Sequence, residues 1–148
     1  MATYHMKFLN ETNDWWHFGV YQTFPKSTGL ESVVWKEEGL PTNSQVEIHL
    51  KMAYGVSITN FDGNNVSSRQ TVGVRLGSGY QVITTNDIIG IDSTPISNNE
   101  PEDIIALTNN TDPATPVDVG FAWSGSIIAS HSAVGGKQAS NYQVHPKY

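Results

Sequence analysis

Val46-Glu47-Ile48-His49-Leu50-Lys51-Met52 alternates apolar and polar residues without a break. In an extended chain successive side chains point to opposite faces. The spacing therefore puts Val46, Ile48, Leu50 and Met52 on one face and Glu47, His49 and Lys51 on the other. Wound into a helix, the same apolar residues would be spread around the circumference. The stretch reads as a half-buried β-strand with its polar face in solvent.

The same period recurs on both sides. Tyr4-His5-Met6-Lys7-Phe8 turns Tyr4, Met6 and Phe8 inward. In the next strand Trp16, Phe18, Val20 and Gln22 alternate with Trp15, His17, Gly19 and Tyr21, so both faces carry bulk. Residues 30–35 read as a third strand, which Glu37-Glu38-Gly39-Leu40-Pro41 breaks. Further strands are expected at 55–61, 68–76, 80–85, 88–91, 103–107, 117–123, 126–134 and 141–144. Asp62-Gly63 suits a hairpin, because both residues tolerate positive φ. Gly77-Ser78-Gly79, Gly135-Gly136 and the polar runs 93–101 and 109–116 read as loops. Two stretches leave room for a helical turn: 88–92, and 101–107 with Pro and acidic residues at its start.

Short strands at this spacing, with turn residues between them, are the pattern of a sandwich or barrel. No internal repeat marks a propeller or trefoil. The expected fold is all-β: one antiparallel β-sandwich of roughly ten short strands, occupying residues 1–148 as a single domain. A chain of 148 residues buries about 68–70% of its unfolded surface, enough for a core without disulfides.

Composition excludes several chemistries. With no cysteine there is no disulfide, thiol nucleophile, iron–sulfur cluster or Cys-ligated zinc. The formal charge is −6, with the eight basic residues scattered; nucleic acid needs clustered Lys and Arg, and an anionic membrane is disfavoured likewise. No apolar stretch approaches membrane-spanning length, and residues 1–10 lack a signal-peptide core. The expected location is cytoplasmic or non-classically secreted. Asn10-Glu11-Thr12, Asn65-Val66-Ser67 and Asn109-Asn110-Thr111 are sequons, expected to be chance matches in a chain rich in Asn and Thr.

No catalytic motif stands out. The histidines His5, His17, His49, His131 and His145 form neither His-x-His nor His-Glu-x-x-His, so no metal is expected from local spacing. Trp123-Ser124-Gly125-Ser126 lacks a nucleophile elbow. Ser130, His131 and Ser132 are strand neighbours, so adjacent side chains point apart. Asp62-Gly63-Asn64-Asn65 offers oxygen ligands but lacks the spaced carboxylates of a calcium loop, and a hairpin accounts for it. Trp16 and Trp35 fall where a strand would bury them. Trp15 and Trp123 are less constrained: each either fills the inter-sheet core or lies exposed as a floor for a sugar ring.

Several stretches resemble a known family. Lys7-Phe8-Leu9-Asn10-Glu11-Thr12 followed by Trp16-His17-Phe18-Gly19-Val20-Tyr21-Gln22 is similar to the start of the RhiA-like proteins, named for a rhizosphere-expressed bacterial member. The likeness continues through residues 30–35 and resumes at Gly79-Tyr80-Gln81-Val82 and Gly120-Phe121-Ala122-Trp123-Ser124-Gly125. It closes on Tyr142-Gln143-Val144-His145-Pro146-Lys147-Tyr148, like the family's His-Pro-x-Tyr ending, where other members often continue with Trp. About half of the chain is covered. The resemblance implies a small non-enzymatic protein of bacteria or fungi and brings no catalytic residues with it.

The functional expectation is a non-enzymatic, lectin-like module for a neutral glycan, without a cofactor. Trp15, His17, Tyr21, Asp62, Asn64, Asn65 and Trp123 are the candidate contacts, combining flat apolar faces with amide and carboxylate hydrogen-bonding groups. The alternative is a structural protein that self-associates into a homo-oligomer without a small ligand. A membrane-active role has less support, given the net acidity and the lack of a long amphipathic hairpin.

Overall fold

A computed structural model describes residues 3–20, 31–32, 36–62 and 65–144. Among them the chain runs through β1 (Thr3–Asn10), β2 (Trp16–Val20), β3 (Glu31–Ser32), β4 (Lys36–Leu40), β5 (Ser44–Lys51), β6 (Tyr54–Asp62) and β7 (Asn65–Val74). It continues as β8 (Ser78–Thr85), β9 (Ile88–Ser97), β10 (Ile104–Asn109), β11 (Val117–Trp123), β12 (Ser126–Val134) and β13 (Ala139–Gln143). No helix occurs among the described residues. The alternating stretch behaves as its pattern requires: in β5 Ile48 and Leu50 are buried, while Glu47, His49 and Lys51 are exposed.

The strands form two sheets and two ribbons. One sheet runs β3-β12-β11-β6-β7 and the other β13-β10-β8-β9; β1 pairs with β5, and β2 with β4. Val56, Ile58, Val119, Phe121 and Ile128 from the first sheet share one buried cluster with Val82, Ile91, Ile105, Leu107 and Tyr142 from the second. Phe121 stacks on Tyr142 between the sheets, ring centroids 5.1 Å apart. Both ribbons feed the same core, with Ile48 and Leu50 in it and Met6, Phe8, Phe18 and Val20 packed against it. The Phe8 and Phe18 rings, 4.4 Å apart, connect one ribbon to the other. This is an all-β sandwich.

Polar links join the sheets towards both edges. The Gln70 side chain on β7 accepts from the Ile91 amide on β9 at 2.9 Å. Towards the other edge, His131 Nδ1 on β12, the neighbour of edge strand β3, lies 2.8 Å from Ser140 Oγ on β13.

The architecture departs from expectation in four places. The β8–β10 pair is parallel, so the second sheet is mixed rather than purely antiparallel. Residues 36–40 do not break a strand but form β4, because pairing with β2 supplies the ladder that the Glu- and Gly-rich stretch would not favour alone. The strand expected at 88–91 forms, not the alternative helical turn, but it runs on to residue 97 through the stretch expected as a loop; β9 is a sheet edge, where Pro95 can sit. Residues 101–104 close a single turn, with the Ile104 amide donating to the Pro101 carbonyl, before Ile105 and Leu107 enter the core as β10. The Asp62↔Asn65 register fits the expected hairpin. Of the expected strand at 30–35, only 31–32 lie within the described residues, paired with β12.

Candidate functional site

Alternation along β2 decides what the β2–β4 ribbon shows to solvent. Phe18 and Val20 pack on the core, so His17 and Gly19 point outward. Pairing sets His17 opposite Gly39 and Gly19 opposite Glu37, which brings these four residues to one face. Trp15 stands just before β2 and is 60% exposed. Its indole lies across Gly39: a Cβ at that position would come within 2.5 Å of the ring's Cη2 and 2.6 Å of its Cζ2. Any larger residue would displace the ring, so the glycine is its seat.

His17 meets the same indole edge-on, with centroids 5.6 Å apart and planes at 81°. On its other side His17 Nε2 lies 2.9 Å from Glu37 Oε1. The face therefore offers an accessible aromatic plate beside an imidazole and a carboxylate. That combination can stack on an apolar face of a ligand while hydrogen-bonding its rim. Trp16 is 55% exposed, contrary to its expected burial, because it sits at the very start of β2. Its Nε1 donates to Thr12 Oγ1 at 2.9 Å.

The loop entering this ribbon is held from below. The buried Asn10 amide donates to the carbonyls of Asp14, Leu40 and Pro41, and its Oδ1 accepts from the Thr12 amide and hydroxyl. One side chain thus ties the end of β1 to the approach to β2 and the exit of β4.

Of the residues singled out in the sequence, Trp15 and His17 come together. Trp123 is half-buried at the end of β11, packed against the core, and so offers less of its indole as a floor. Asp62 and Asn65 close the β6–β7 register through their backbones, while Tyr21 and Asn64 lie outside the described residues. Glu37 and Gly39 were missed. The only signal for them is the β2–β4 pairing, which local periodicity does not reveal.

A family model described as RhiA matches residues 1–148, the whole chain. The chain belongs to the RhiA family. No curated protein and no solved structure matches it. In this RhiA-family chain two of the stretches that carried the resemblance, 7–12 and 16–20, meet around the Asn10 amide and the Thr12–Trp16 hydrogen bond.

Proposed function

We propose that this domain is a lectin-like module that binds a neutral glycan on the β2–β4 ribbon, with Trp15 as the floor. The observation that carries the reading is the indole at 60% exposure lying over Gly39, flanked by the His17–Glu37 pair. A sugar's C–H face stacks on such a plate, while its hydroxyls donate to the carboxylate and accept from the imidazole N–H. Glu37 and the net charge of −6 repel an anionic ligand and leave neutral sugars favoured.

A glycan array followed by tryptophan-fluorescence titration tests this. Trp15→Ala is expected to weaken binding about tenfold or more, corresponding to ~1.4 kcal/mol. Gly39→Ala is expected to act in the same direction while leaving the fold intact, because the group it pushes aside is a surface ring. An array without a hit, on monomeric and on associated protein alike, would sink the proposal.

Self-association is the second reading, and one observation favours it: adjacent Trp15 and Trp16 are both more than half exposed, as at interface anchors. Light scattering across a concentration series separates the two. A strict monomer at high concentration removes self-association and leaves the glycan reading standing.

A further inference from the structure

The solvent face of the β1–β5 ribbon carries a second constellation. The antiparallel register places His5 directly opposite His49, and Lys7 opposite Glu47. Residues two apart on a strand share a face, so Glu47 and His49 point the same way as His5. The two imidazole centroids lie 4.3 Å apart. His5 Nδ1 is 2.8 Å from Glu47 Oε1, and His49 Nε2 is 3.8 Å from the same oxygen. One ligand atom from each residue lies within 4.8 Å of the other two, and all three side chains are exposed.

We propose that His5, Glu47 and His49 form a surface site for a divalent transition cation, with zinc(II) as the ion to test. Two imidazoles and a carboxylate are the donor set such cations prefer, whereas calcium and magnesium take oxygen ligands almost exclusively. Metal–ligand bonds of about 2.0–2.1 Å in a tetrahedron put the ligand atoms about 3.3 Å apart. The observed separations bracket that spacing, so small rotations of exposed side chains are enough and the backbone need not move. Coordination through His5 Nδ1 requires the tautomer with its proton on Nε2, and the ion then replaces the His5–Glu47 hydrogen bond. Three protein ligands leave one position for water. Lys7, opposite Glu47 in the register, and Lys51, two residues beyond His49 on the same exposed face, are neighbouring charges that oppose a cation.

The ligands come from positions 5, 47 and 49, which only the folded chain brings together. Zinc is therefore expected to stabilise the native state and to raise its melting temperature with concentration. The test uses the full, untagged chain, titrated with zinc chloride by calorimetry and followed by thermal melting. His5→Ala and His49→Ala are each expected to weaken binding about tenfold or more and to abolish most of the melting shift. Circular dichroism and the metal-free melting temperature check that each variant folds. The site lies on a different ribbon from Trp15, so zinc binding and glycan binding fail or succeed separately. If the native chain takes up no zinc at concentrations well above its own, the proposal is overturned. It is overturned equally if the folded double variant His5→Ala/His49→Ala binds zinc as tightly as the native chain.

Discussion

Asn10 and Asn109 show how much one amide can organise. Each ends a strand, is buried, and stands two residues before a threonine. Asn109 Nδ2 donates to the carbonyls of Thr115 and Val134 at 2.6 and 2.8 Å, and its Oδ1 accepts from the Thr111 amide and hydroxyl. Asn10 repeats the arrangement with Thr12. Two of the three sequons are therefore buried clamps whose amide nitrogens are already committed. Removing Asn109 takes a donor from the buried Val134 carbonyl and an acceptor from Thr111, so Asn109→Ala is expected to cost about 2–3 kcal/mol, read as a lower urea midpoint with the slope unchanged. The Asn-x-Thr spelling was visible in the sequence. Its role was not, because the acceptors at Thr115 and Val134 are placed by the fold.

At the scale of elements, tight turns complete what alternation begins. Thr85 pairs with Ile88 across a two-residue turn in which Asn86 and Asp87 have φ of 50° and 63°. Trp123 pairs with Ser126 across Ser124 and Gly125, at 50° and 81°. Positive φ at both central residues is the hairpin geometry that matches strand twist. A β-branched residue there is strained, so Asp87→Val is expected to destabilise by about 1–2 kcal/mol, measurable by chemical denaturation. Most strands were legible because a half-buried strand writes a period of two into its residues. β4 was not: Glu37, Glu38 and Gly39 are poor strand formers in isolation, and only the ladder with β2 holds them extended.

For the whole molecule, stability rests on the contact between the two sheets. Phe121 is fully buried and stacked on Tyr142, where no surface movement can refill a cavity. Phe121→Ala is expected to cost about 3–5 kcal/mol, seen as a large drop in melting temperature. The exposed Trp15 carries no comparable share of the core, so Trp15→Ala is expected to leave that temperature nearly unchanged while affecting ligand uptake. This contrast separates the folding and binding roles of the aromatic residues. The sequence placed Trp15 and His17 among the candidates, but it grouped them with Trp123, which the fold packs against the core.

By itself the sequence determined that the chain is all-β and which residues along a strand share a face; Val46–Met52 needed nothing else. It determined too that no cysteine chemistry is available. Tertiary structure alone decided which face is covered, that β8 and β10 run parallel, and that Gly39 seats Trp15. It alone set His5 against His49. The physical reason is the same each time. Alternation is a property of one strand and its own side chains, whereas pairing joins residues far apart in the chain through backbone hydrogen bonds that carry no residue-specific signature.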